Sequence, residues 1–262
     1  MTTLFGAVVN NANQNSPPRR KHCHRLCGQT CSRLSLSANE KAKKYFSRFY
    51  KFRQMDFEYA SWQMVNIFVS PQKLYRNFSY HHSTRNQWAR DDPAFMILFI
   101  PWMLVSTTIY SAILGHSFWG WLKLLLWSLT VECVTSGLLV ATGIRQFSSN
   151  SDDESWAYAF DIHLNALFPC IIILRIIQPM FFYCKSIVRR PTFLGSFIGN
   201  SFWLAGILYY VYITFLGYKA LPFLRHTRGI LLTGTIFIIL YIASVIVRWN
   251  FTVAMCKFYS MF

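Results

Sequence analysis

From residue 94 to the C-terminus the apolar positions form long uninterrupted runs, whereas before residue 93 they are interleaved with cations. Five runs are distinct, at about 94–114, 121–143, 162–183, 194–216 and 230–248. Each holds about 20 residues, the length that crosses a hydrocarbon core of about 30 Å as a helix. Within lipid every backbone polar group must find an internal partner, so a run of this length is read as a spanning helix. The connections after the first and third runs are short, which makes those neighbours antiparallel hairpins. Trp119, Trp121, Trp156, Tyr158, Tyr218 and Trp249 crowd the ends of the runs, as an interfacial aromatic belt would.

The N-terminal third reads differently. Residues 1–35 lack apolar periodicity and are rich in Asn, Gln, Ser and Pro between Asn10 and Pro18, so a disordered basic tail is expected there. Residues 36–92 form an aromatic-basic helical region. Ser37 and Glu40 fit a capping box, and no Gly or Pro intervenes before Ser70, so one helix is expected from near Ser37 to Ser70. Tyr45, Phe46, Phe49, Phe52 and Tyr59 fall on one broad face of it. Ser70-Pro71 places a cap and a proline at the start of a second, short basic helix through Lys73, Tyr75 and Arg76. His81 to Arg90 is polar and reads as a surface loop, and Asp92-Pro93 repeats the capping pattern before the first apolar run.

Composition narrows the class. Of 262 residues 53% are hydrophobic and only 14% charged, against roughly 25% charged in a soluble domain. A soluble globular domain and a fully disordered chain are excluded. The stretch Leu4–Val9 is too short for a signal-peptide core and no basic residue precedes it. The seven cysteines are too sparse for a disulfide framework. The expected architecture is all-α: a polytopic membrane protein with five transmembrane helices at 93–262 and a cytosolic amphipathic N-terminal helical region.

Charge sets the orientation. Fifteen of the 26 Lys and Arg precede residue 93. The positive-inside rule therefore retains the N-terminus in the cytosol, and five spans place the C-terminus in the lumen. The basic segment Lys219 to Arg228 agrees with this orientation, while Lys185, Arg189 and Arg190 run against it. Two glycosylation sequons occur, Asn77-Phe78-Ser79 and Asn250-Phe251-Thr252. Only the second is lumenal in this orientation, and it lies too close to the bilayer to be modified.

Candidate chemistry is sparse. Lys41, Lys43, Lys44, Arg48, Lys51 and Arg53 alternate with bulky aromatics, a composition that suits anionic lipid headgroups or a trafficking partner. A helix packed on the membrane domain with its cations in water is the plainer alternative. RNA is a weaker reading of the same cations, which bind phosphate from any source, and DNA is not implied. Within the spans, Glu132 and Arg175 lie at similar distances from the loop that joins the second and third runs, so they can form a structural ion pair. Asp161 and Asn165 share a helical face while His163 points elsewhere, which favours interhelical hydrogen bonding over a metal site. Gly195 and Gly199 give the fourth run a face of small residues. His22, Cys23, His24, Cys27 and Cys31 cluster in the tail without a second ligand pair at finger spacing. Zinc, palmitoylation and reduced thiols all remain open for them. The chain has no HExxH, GxSxG or P-loop pattern, and no cofactor, metal or catalytic residue is assigned. The alternative class is an intramembrane enzyme or carrier using Glu132, Asp161, His163 and Arg175. A water-filled cavity joining those side chains would mark it, whereas mutual satisfaction would mark an adaptor.

Longer motifs carry a resemblance. Phe52-Arg53-Gln54-Met55-Asp56-Phe57-Glu58, Trp62-Gln63-Met64, Ser70-Pro71-Gln72 and Tyr75-Arg76-Asn77-Phe78 come first. Gln87-Trp88-Ala89-Arg90-Asp91-Asp92-Pro93-Ala94-Phe95 and Tyr158-Ala159-Phe160-Asp161-Ile162-His163-Leu164-Asn165-Ala166 follow. Thr214-Phe215-Leu216-Gly217-Tyr218, Ala220-Leu221-Pro222-Phe223-Leu224 and Trp249-Asn250-Phe251-Thr252 complete the series. Over about residues 45–262 the chain resembles the Unc-fifty family. The resemblance implies a five-span protein of the Golgi membrane, and in some members of the inner nuclear membrane. It implies vesicle-mediated protein transport, including cell-surface delivery of nicotinic-type acetylcholine receptors. Arf exchange factors and receptor cargo are the partners it implies besides membrane lipids, and RNA binding has also been attributed to the family. It brings no catalytic residue.

Overall fold

The structure is a computed structural model that describes residues 55–77, 94–147, 153–184, 192–220 and 228–262. Outside them lie the tail with its Cys/His cluster, the cations Lys41, Lys43, Lys44, Arg48, Lys51 and Arg53, the His81–Arg90 loop, and Lys185, Arg189 and Arg190.

The described residues are helical. Helix α1 spans Phe57–Val69 and α2 spans 71–77. Five long helices follow: α3 over Ala94–Leu114, α4 from Phe118 to Phe147, α5 from Asp153 to Cys184, α6 over Phe193–Lys219 and α7 over Arg228–Ile246. A short α8 over Phe251–Tyr259 ends the chain. The segments long and apolar enough to span are Ala94–Leu114, Phe118–Gly143, Tyr158–Phe181, Phe193–Lys219 and Gly229–Ile246. Successive spans run antiparallel. The side on which α3 begins is called here the near side, and the side on which α7 ends the far side.

One expectation is corrected at once. The helix expected to run unbroken from Ser37 to Ser70 is interrupted: Met55 and Asp56 are not helical. Asp56 is the N-cap of a new helix, its carboxylate accepting the Tyr59 N–H at 2.9 Å. The short acidic side chain satisfies a free amide at a helix start, which the aromatic periodicity could not reveal. The second helix begins at Pro71 as expected.

Two of the spans are not regular α-helices. Residues Ser128–Thr135 of α4 and Ile172–Ile177 of α5 are π-helical. In α4 the Thr135 hydroxyl bonds the Thr130 carbonyl, five residues back, and in α5 the π turn follows Pro169, which has no N–H to give the preceding turn. Such turns shift the register of every later side chain, and Glu132 and Arg175 lie within them.

Packing is closest where glycine removes a side chain. A Cβ on Gly137 of α4 would stand 2.6 Å from the Phe160 ring and 2.8 Å from His163. One on Gly217 of α6 would stand 2.8 Å from Ile162. These approaches bury Tyr158 and Tyr218, which are 2% and 1% exposed, and the Tyr158 hydroxyl donates to the Gly217 carbonyl at 3.0 Å. Both tyrosines are therefore core residues and not the interfacial belt expected from their position at span ends. Trp119 and Trp249 are exposed, at 69% and 55%, as a belt requires.

Candidate functional site

Two separate polar centres lie inside the bundle. The deeper in charge is built on the two π turns. Arg175 Nη1 donates to Glu132 Oε2 at 2.9 Å and to Ser128 Oγ at 2.8 Å. The Glu132 carboxylate receives a second donor, the Tyr259 hydroxyl, at 2.6 Å. The guanidinium lies 5.6 Å from the Tyr110 ring centroid and 5.2 Å from that of Tyr259, in reach of cation–π attraction. Its Nε and Nη2 have no hydrogen-bond acceptor among the described residues, so those rings face the remaining part of the cation. The Arg175 side chain is 6% exposed and that of Glu132 23%. A lone charge would be expensive at such a place, and the pair, two hydroxyls and two rings hold it together.

Helix α8 supplies the hydroxyl that sequence reasoning did not assign. The chain leaves α7 through Arg248, whose φ is +59°, and Asn250 then caps α8 through its Oδ1 to the Val253 N–H at 3.3 Å. Asn200 of α6 anchors this turn: its Nδ2 donates to the Trp249 carbonyl and its Oδ1 accepts from the Phe251 N–H, at 2.8 and 2.9 Å. The small-residue face of α6 receives the same turn. The Gly195 carbonyl accepts from Asn250 Nδ2 and the Gly199 carbonyl from Gln178 Nε2, while Gln178 also donates to Thr252. From this anchor α8 folds back into the bundle, and Tyr259 meets Tyr110 edge to face at 5.3 Å.

The second centre, toward the near side, separates the residues grouped in sequence. Asn165 Oδ1 accepts from Gln63 Nε2 of α1 at 2.7 Å, both side chains being fully enclosed. His163 faces away, its Nε2 3.1 Å from Ser136 Oγ of α4 and its Nδ1 2.8 Å from the Tyr210 hydroxyl of α6. Tyr75 of α2 is buried beside Asn165; burial holds its hydroxyl well above the usual tyrosine range, and Tyr158 and Asp161 push the same way, so it stays neutral. His163 thus points away from Asn165, whereas Asp161 and Asn165 both face Tyr75, as their shared helical face predicts, and among the described residues no group of three His, Cys, Asp or Glu could hold a metal ion. Gln63, Ser136, Tyr210, Ser128, Tyr110 and Tyr259 are the partners that sequence alone did not name. Only the motif Trp62-Gln63-Met64, a carboxamide amid apolar residues, gave a signal for any of them.

A cavity of about 370 Å³ lies apart from both centres, between α6, α7 and the start of α8, lined mainly by apolar side chains such as Trp203, Phe237, Leu240 and Phe251.

Five helices long and apolar enough to span, a helical N-terminal segment docked on them and two buried polar centres define a polytopic α-helical membrane protein. The family model described as the UNC-50 family matches residues 45–260. A rat protein unc-50 homolog is 45% identical over 99% of this chain and 97% of its own length. The human homolog is 46% identical over 86% of this chain and 89% of its own, and that of Drosophila melanogaster 44% identical over 86% and 84%. The chain belongs to the UNC-50 family. No solved structure matches it.

Proposed function

We propose that this chain is a non-enzymatic adaptor of membrane traffic, held in the Golgi membrane with its N-terminal segment in the cytosol. In this reading it serves vesicle-mediated delivery of membrane proteins, nicotinic-type acetylcholine receptors among them. The spans fix it in the bilayer, and the basic face Lys41, Lys43, Lys44, Arg48, Lys51 and Arg53 meets anionic lipid or a coat-recruiting exchange factor. The observation that carries the reading is how the ionisable groups are used. Glu132 is engaged by Arg175 and Tyr259, and His163 by Ser136 and Tyr210. Acid–base or carrier chemistry needs such groups in mutual reach around a reacting atom or a path, and here the Glu132–Arg175 pair and His163 lie in two separate centres, each engaged in contacts between helices. Family membership supports the same conclusion.

The test replaces Lys41, Lys43, Lys44 and Arg48 together with Gln in the full chain. Abundance and membrane insertion should match wild type, while surface delivery of a co-expressed receptor and proximity labelling of exchange factors from the N-terminus should fall. Delivery at the wild-type level would reduce those cations to a solvated surface and overturn this reading of them.

A further inference from the structure

We infer that α1 and α2 form a re-entrant hairpin that dips into the near-side leaflet and presents the Val65, Phe68 and Val69 face to lipid acyl chains. The inference does not depend on the trafficking reading. Its ground is the register of the hairpin against the spans. Gln63 meets Asn165, roughly seven residues inside the near end of the third span, or about 10 Å at about 1.5 Å per residue. One turn further on, the Phe68 ring lies 5.6 Å from Phe168 and 6.2 Å from Tyr209, and the Ile67 carbonyl accepts from the Tyr209 hydroxyl at 2.8 Å. Phe168 and Tyr209 each stand roughly ten residues inside their spans, about 15 Å deep. Gln72 of α2 then donates to Tyr212, and Tyr75 lies beside Tyr158, Asp161 and Tyr218 near the span ends. The chain therefore goes in, turns at Ser70-Pro71 and comes out on the same side. Its tip reaches about half of a core about 30 Å thick.

Much of the turn's polar inventory is paired within it, as a turn in hydrocarbon requires. The Ser70 N–H donates to the Asn66 carbonyl at 3.0 Å, and the Ser70 carbonyl accepts from the Lys73 and Leu74 N–H groups at 3.0 and 3.2 Å. Ser70 Oγ donates to Asn66 Oδ1, and Asn66 Nδ2 donates to the Trp62 carbonyl. Pro71 has no N–H to satisfy. Val65, Phe68 and Val69, near the tip, are 60%, 41% and 76% exposed. The exposed Glu58 and Arg76 lie toward the mouth, while the exposed Gln72 and Lys73 follow the turn directly. The Lys73 side chain has a long apolar stem that lets its ammonium reach back toward the headgroups. The hairpin returns to its starting side, so it leaves the number of crossings unchanged.

The experiment reconstitutes the full chain in phosphatidylcholine–phosphatidylserine liposomes with a fluorescent noncanonical amino acid at position 69 or, separately, at position 76. Lipids brominated in mid-chain should quench the probe at 69 several-fold more strongly than the probe at 76, and aqueous iodide should show the opposite order. Position 65 gives an independent reading if the label at 69 blocks folding. Equal quenching of 69 and 76 by iodide would place the hairpin in water. Protection of position 69 from both quenchers would show that protein, not lipid, covers this face. Either result overturns the inference.

Discussion

At the scale of single residues, Tyr259 shows how a side chain outside every apolar run can govern the interior. Its hydroxyl donates to Glu132 and its ring lies against Arg175, so one residue serves both members of the ion pair. Tyr259→Phe keeps the ring and removes the donor. A hydrogen bond to a charged group is worth about 1.5–3 kcal/mol, and thermal denaturation of the purified protein should show a loss of that order. The Glu132–Arg175 juxtaposition was legible in the sequence, because both residues stand at similar distances from one loop. Tyr259 was not, because nothing local says that the chain turns back after Trp249. Tyr158 and Tyr218 were misread for a related reason. An amphipathic ring at a span end suits an interface or a core equally well, and the choice was made by Gly217, whose missing side chain lets α5 approach α6.

Elements divide along the same line. The five spans were legible because length and apolarity alone determine them in a bilayer. Helices α1 and α8 were less so: both are short, both carry polar residues, and both depend on caps whose meaning emerges with tertiary contacts. Asn250 illustrates this. It is 7% exposed, caps α8 and donates to the Gly195 carbonyl, so its sequon is already occupied by structure. Endoglycosidase treatment of the protein from cells should leave the mobility of wild type and of Asn250→Gln unchanged relative to each other. Asn250→Ala should nevertheless lower stability, by about 0.5–2 kcal/mol for the lost cap. A glycan released from wild type but not from the variant would show that the far-side turn is open where the structure closes it.

For the whole molecule, the central claim is the proposal that its intramembrane ion pair holds the bundle together rather than performing chemistry. A double-mutant cycle on Glu132 and Arg175, read by thermal denaturation of the full chain alongside receptor delivery in cells, tests it most directly. Each of Glu132→Gln and Arg175→Gln leaves a partner uncompensated, a loss of about 3–5 kcal/mol where the remaining charge is buried. Glu132→Gln should be the worse of the two, because Arg175 is the more enclosed residue while Glu132 keeps the Tyr259 hydroxyl. The double variant should lose much less than the sum of the singles, and delivery should follow stability in all three. Additive losses, or single variants that melt like wild type yet deliver no receptor, would contradict the claim.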